Sequence, residues 1–205
     1  MTRRPVRVEI VLDVICSHSY LGYTRFARAA ARARSEGAEV LVSFLPFELA
    51  PGASTEGWPL LAVLERSFGP DAVAATAHLA ESAALEGVVL DYGSAIATGT
   101  FEAHRLIAAA ARQGRAEQVV ERLFRAHFTD GLHIGDPATL AELAAEAGVT
   151  SGGYPPEVLR AELQRVRGLG VTGVPVFRVG GLPPLTGSQS ENALYAALTQ
   201  ARERK

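Results

Sequence analysis

The one thiol in this chain is Cys16, in the run Cys16-Ser17-His18-Ser19. With no second cysteine, neither an internal disulfide nor a zinc cluster of thiolates can be built within it. The residues ahead of Cys16 pattern as a strand and those after it as a helix, so the sulfur is expected at a helix N-terminus. Unpaired backbone N–H groups and the positive end of the helix dipole lie there, and both favour thiolate over thiol. The position thus predicts a lowered pKa and a nucleophile. A protonated His18 would add positive charge, and the hydroxyl of Ser19, one turn along, would donate a hydrogen bond to the sulfur. Free cysteines are also often small buried hydrophobes, so the residues alone leave nucleophile and packing both open.

Other side chains offer less. Val174-Pro175 comes after a Gly-Val-Thr-Gly run, and such a proline is tolerated where a strand opens at a sheet edge, in trans or in cis. Asp13, three residues before Cys16, reads either as a proton acceptor for the thiol or, preferably, as a polar edge residue opposite the apolar face. His104 reads as a capped or core histidine. His78, His127 and His133 lack partners at metal-ligand spacing, so no metal is expected. Trp58 reads as core or seam packing. Lys205 is the only lysine among 20 basic residues, an arginine bias that, beside abundant alanine, reads as base composition more than phosphate recognition.

Periodicity locates the strands and helices around Cys16. Val8, Ile10, Leu12 and Val14 alternate with Arg7, Glu9 and Asp13, which predicts a strand over Val6 to Ile15. Tyr20 to Ala33 is rich in alanine and arginine and predicts a helix closed by Gly37. Val40 to Phe47 reads as a second strand. From Trp58 to about Arg167 the signals are helical, punctuated by glycines, with Asp136-Pro137 as a clear start. Val174 to Val179, a Gly180-Gly181 turn and Leu182 to Thr186 predict a hairpin. Ser188-Gln189-Ser190-Glu191 reads as a capping box for a last helix from Asn192. The order is β-α-β, a helical block, then β-β-α. Strands at both ends of the chain make the block an insertion, over residues 58–167, into one α/β domain formed by residues 1–57 and 168–205.

Composition narrows the classes. The 205 residues are 48% hydrophobic and 20% charged with a formal net charge of -2, so a real core is available and a basic nucleic-acid-binding surface is not expected. The apolar runs fall far short of the roughly 20 residues of a membrane-spanning helix. Met1-Thr2-Arg3-Arg4 imitates a signal-peptide start, but Arg7, Glu9 and Asp13 interrupt the apolar stretch that such a peptide needs. The expectation is a cytoplasmic protein with a reduced thiol.

Taken in order, these segments resemble the DsbA-like branch of the thioredoxin superfamily, and most closely FrnE-type oxidoreductases. The resemblance rests on Asp13 to Gly22, Pro46-Phe47-Glu48-Leu49, Ala103-His104-Arg105-Leu106, Leu123 to Phe128 with Gly131, Ile134 and Asp136, Gly173 to Phe177, and Thr186-Gly187-Ser188-Gln189. It implies a thioredoxin-like fold with an α-helical insertion and Cys16 facing a cis Pro175 across a substrate cleft. Cys16, Ser19 and His18 would then be catalytic, with Val174, Pro175, Tyr20 and His104 binding substrate. Two departures stand out. Gly99-Thr100 occupies the place of the family's Asn-Thr, and Ser19 that of its second cysteine. Serine neither forms nor breaks a disulfide, so dithiol oxidase chemistry is excluded and a lone thiolate would form mixed disulfides released by an external thiol.

Three functions fit that resemblance. The preferred one is a monothiol disulfide oxidoreductase acting on protein thiols or small thiol-linked substrates. It would bind no cofactor tightly and use glutathione or another low-molecular-weight thiol. Cys16-x-x-Ser19-Tyr20-Leu21 is also similar to the S-x-x-S-Y-L pattern of 2-hydroxychromene-2-carboxylate isomerases and kappa-class glutathione transferases, whose first serine assists bound glutathione. A non-catalytic, chaperone-like relative is the third. No nucleic acid or membrane is expected as partner, and a homodimer is left open.

Overall fold

The computed structural model describes residues 4–150 and 152–204. Strand β1, Val6–Leu12, alternates exposed Arg7 and half-buried Glu9 with buried Val6, Val8 and Ile10, as a pleat of period two requires. It stops at Leu12, short of the expected Ile15, because Val14 and Ile15 turn the chain and Cys16 N–H donates to the Asp13 carbonyl at 3.1 Å. Helix α1, Ser17–Ser35, buries Phe26, Ala29, Ala30 and Ala33 at helical spacing. Strand β2, Val40–Pro46, then pairs parallel to β1 over its whole length.

The other end of the chain completes the sheet. Strand β5, Val176–Val179, runs antiparallel to β1 with Val8 opposite Val179 and Val11 opposite Val176. Its hairpin partner β6 is only Leu185–Thr186, and the connection uses Gly180 and Gly181 at φ of 50° and 75°, which glycine tolerates and side chains resist. Sheet order is β2-β1-β5-β6, with β1 and β5 inside. The last helix, α8, is Glu191–Glu203, and Ser190 caps it by accepting from Ala193 N–H at 3.2 Å. The expected capping box began two residues earlier. Arg25 of α1 instead engages the Ser188 carbonyl at 2.7 Å and that of Gln189, keeping those residues in the loop.

Both faces of the sheet acquire a core. On one, α1 and α8 pack together, and Phe26 stacks on Phe177 of β5 with centroids 5.9 Å apart. On the other, Val11, Leu45, Phe47 and Val176 close against Val166 of α7, Pro156–Gly168. That packing places α7 with the sheet. Accordingly the chain divides into compact units at residues 1–47 with 157–205 and at 48–156, about ten residues earlier at each junction than the helical signals suggested.

The second unit is mostly helical, with α2 (Leu60–Phe68), α3 (Pro70–Ala84), α4 (Phe101–Arg112), α5 (Ala116–Phe128) and α6 (Pro137–Glu146). Phe124, Phe128, Leu123 and Ile134 are fully buried in it. Asp136 caps α6 as expected, its Oδ2 accepting from Thr139 N–H at 2.8 Å. Two expectations fail here. The segment is not helical throughout, since β3 (Trp58–Pro59) pairs antiparallel with β4 (Ile96–Ala97). Trp58 is 55% exposed, not core, because its two-residue strand pairs only with another of two residues and encloses little.

Truncating Phe26→Ala should cost about 3–5 kcal/mol, since it removes the ring that joins α1 to β5 and leaves a cavity. Urea unfolding monitored by circular dichroism reads this, and a loss under about 1 kcal/mol would mean that the face between α1 and the sheet is not a packed core.

Candidate active site around Cys16

The turn after β1 delivers Cys16 to the N-cap of α1 with extended backbone angles, φ -94° and ψ 112°. Its sulfur takes the role that a serine or aspartate oxygen usually plays, accepting from Ser19 N–H at 3.4 Å. On its other side Sγ donates to the Val174 carbonyl at 3.6 Å, and the Val174–Pro175 peptide bond is cis. Cys16 and Ser19 therefore meet Val174 and Pro175 around one sulfur atom, although 158 residues separate Cys16 from Val174.

The neighbouring α1 side chains hold the proline loop in place. A Cβ on Gly22 would lie 3.0 Å from Pro175 Cγ and 3.3 Å from Ser188 Cα, so the absent side chain lets the helix and loop approach. One turn on, Arg25 bonds the Ser188 carbonyl, and Gly187 N–H donates to the Pro175 carbonyl at 2.8 Å. Sequence reasoning does not single out Arg25. Its spacing of three from Gly22 on one helix face is the only signal, and it says nothing about a partner 163 residues away.

Electrostatically, the thiol differs from the expectation. Burial pushes the Cys16 thiol above its ordinary pKa, outweighing the Ser19 side chain and N–H, which favour the thiolate; the Asp13 carboxylate opposes ionisation, and His18 N–H favours it. The helix N-terminus does act in the expected direction but loses to desolvation, because the residue is only 8% exposed. The sulfur rests as a thiol that donates to a carbonyl.

The remaining site residues occupy more varied surroundings. His18 is exposed in the first turn of α1, so it acts on the sulfur through its backbone N–H rather than as a charged ring. Asp13 is fully buried, not at a polar edge, since β1 has already ended when the chain reaches it. Ser19 is fully buried, and its Oγ meets no partner within hydrogen-bond geometry, although it stands near enough to the sulfur to favour the thiolate. Tyr20 is buried next to it, its carbonyl accepting from Thr24 Oγ1 at 3.0 Å. His104 belongs to the second unit, where it is buried on α4. His133 Nε2 lies 3.2 Å from Thr98 Oγ1. Among the described residues no group of three or more histidine, cysteine, aspartate or glutamate side chains could hold a metal. No described helix is long and apolar enough to cross a membrane.

These causes carry signs that alkylation kinetics can read. The rate of Cys16 modification by iodoacetamide should keep rising with pH through the ordinary thiol range, with no plateau near neutrality. Asp13→Asn should move the midpoint down, by removing a repelling charge, and Ser19→Ala should move it up. A plateau at or below neutral pH would show that the helix terminus wins after all.

Comparison with known proteins bears on the family and the fold. A profile of the DSBA-like thioredoxin domain matches residues 7–199. No curated protein matches the chain. Among solved structures it is similar to the probable DsbA oxidoreductase from Streptomyces coelicolor, with 31% identity and a TM-score of 0.85, covering 98% of this chain and 92% of that one. Its fold is also similar to that of the cytosolic disulfide reductase DsbM from Pseudomonas aeruginosa with GSH (21% identity, TM-score 0.61, 96% of this chain and 95% of that one). A 2-hydroxychromene-2-carboxylate isomerase resembles it likewise (16%, 0.65, 95% of each). The latter two bear on fold alone. A profile match running from β1 into α8, with a relative at 31% identity over nearly the whole length, establishes that this thioredoxin-like chain belongs to the DSBA-like thioredoxin domain family.

Proposed function

We propose that the chain is a monothiol disulfide-exchange enzyme of the FrnE type, in which Cys16 forms mixed disulfides that an external thiol resolves. The observation that carries the reading is the lone sulfur at the α1 N-cap, with Ser19 N–H on one side and the Val174 carbonyl on the other. In the first step the Cys16 thiolate attacks a disulfide RS–SR′, forming the Cys16–SR bond and expelling R′S⁻. In the second, an external thiolate attacks the R sulfur, forms a new disulfide with it and returns Cys16 as thiolate. Each step breaks one S–S bond and makes one, so the enzyme ends as it began. Glutathione, or another small cytoplasmic thiol, is the proposed resolving partner, and protein thiols or small thiol-linked molecules are the substrates. Cys16 is the nucleophile, and Ser19 and the His18 backbone favour its thiolate. Val174, Pro175 and Tyr20 are the proposed substrate contacts.

The raised thiol pKa bears on the rates of this cycle. A thiol that resists ionisation offers little thiolate at neutral pH and leaves a mixed disulfide slowly. The thiolate, once formed, is correspondingly the stronger nucleophile.

Incubation with oxidised glutathione and then intact-mass measurement should show one glutathionyl group on Cys16, forming faster at alkaline than at neutral pH and removed by excess dithiothreitol. Cys16→Ala should show none. Ser19→Cys should release glutathione without added thiol by closing a bond between positions 16 and 19. A wild-type thiol inert to oxidised glutathione across that pH range would end this reading.

One observation favours a second reading, a glutathione-dependent isomerase or transferase. A protonated Cys16 beside a buried Ser19 hydroxyl supplies two hydrogen-bond donors for the thiolate of bound glutathione. Under it, calorimetry would show tight binding of reduced glutathione that Cys16→Ser preserves; under the monothiol reading that substitution abolishes the chemistry.

A further inference from the structure

The first unit carries a second concave surface at the opposite end of β1 from Cys16. Arg7 stands opposite Leu41, and Glu9 opposite both Ser43 and Arg178. Residues in register share a face, and two residues farther along this face are Val11, Leu45 and Val176, which Val166 of α7 covers. That cover does not extend to Arg7, Leu41 and Ser43: Arg7 and Leu41 are exposed and Ser43 stands on the same open face. The bare half of the face lines a depression of about 840 Å³, to which Arg4 and Arg204 also contribute. It begins at the start of β1, roughly 20 Å along the strand from the end that leads to Cys16.

Its described lining is rich in positive charge. Four guanidinium groups, from Arg4, Arg7, Arg178 and Arg204, stand there with one carboxylate, that of Glu9, in a chain whose net charge is -2. Glu9 Oε2 pairs with Arg178 Nη1 at 3.2 Å, and Arg204 Nη1 donates to the Gly181 carbonyl at 3.4 Å. Among the described residues neither Arg4 nor Arg7 pairs with a carboxylate. Leu41, opposite Arg7 on the neighbouring strand β2 and 40% exposed, adds an apolar side chain to the lining.

We propose that this depression binds a small organic polyphosphate of nucleotide size, its phosphates on Arg4, Arg7 and Arg178 and its ring portion against Leu41. The planar guanidinium fork matches phosphate oxygens in pairs, and several such groups lining one depression with a single carboxylate among them favour an anion there. The volume lies in the range of small-molecule sites. A second copy of the chain fits poorly, because a two-fold contact would set these arginines against themselves. The site is independent of thiol chemistry at Cys16.

Titration calorimetry of the full chain with ATP and with inorganic pyrophosphate tests the assignment. ATP should bind saturably with one-to-one stoichiometry and more tightly than pyrophosphate, and added salt should weaken both. Arg7→Gln should weaken ATP binding by about tenfold or more, the effect of losing a charge-assisted hydrogen bond. Glu9→Gln should tighten it by removing the repelling charge and freeing Arg178. Arg66→Gln, on an exposed turn of α2, should leave it unchanged, and Cys16 glutathionylation should proceed normally in Arg7→Gln. Any of three results overturns the proposal. These are absence of saturable binding of either phosphate at millimolar concentration, an Arg66→Gln effect as large as that of Arg7→Gln, and light scattering that shows a dimer abolished by Arg7→Gln.

Discussion

Everything distinctive about this protein turns on the desolvation of one sulfur atom. Cys16 caps α1, accepts from Ser19 N–H and lies against the Val174 carbonyl, and within that enclosure ionisation is penalised more than the helix terminus rewards it. A helix dipole supplies a field, but the same packing that brings the thiol to the dipole removes the water that would solvate its charge. The outcome is a sulfur held as a neutral thiol at neutral pH.

The rest of the first unit serves that enclosure. The parallel pairing of β1 with β2 and the antiparallel pairing with β5 bring the start of α1 and the loop before β5 to one end of the inner strands. Gly22 lets Pro175 approach α1, and Arg25 binds the carbonyl of Ser188, so a helix, a proline loop and the segment before α8 are tied at three points. These contacts position the loop, whereas stability comes from the two apolar layers on either side of the sheet, centred on Phe26 with Phe177 and on Val11 with Val166. The α7 layer stops short of the first half of β1. There the sheet keeps an arginine-rich face open, so one unit presents a buried thiol at one end of its central strand and an unneutralised cationic surface at the other.

Serine at position 19 is consistent with this division of labour. It is a buried hydroxyl that cannot close a bond with Cys16, the one cysteine of the chain, so any disulfide partner must arrive from outside. The hydroxyl still favours the thiolate, and Asp13 still opposes it. The reactivity of the sulfur is the balance of those small effects within a large cost of burial.

Much of this was legible in the residues. Period-two alternation located β1, alanine-rich helical spacing located α1, Asp136-Pro137 marked the start of α6, and a single cysteine excluded dithiol chemistry by covalent arithmetic alone. Those features depend on neighbours within a few positions, and local rules suffice for them. The direction of the Cys16 pKa, the burial of Asp13, the bond from Arg25 to Ser188 and the exposure of Trp58 were not legible. Each is set by what packs against a residue from elsewhere in the chain. Position in a strand or helix names the dipoles a group will feel, but only the assembled fold decides how much water is left to oppose them.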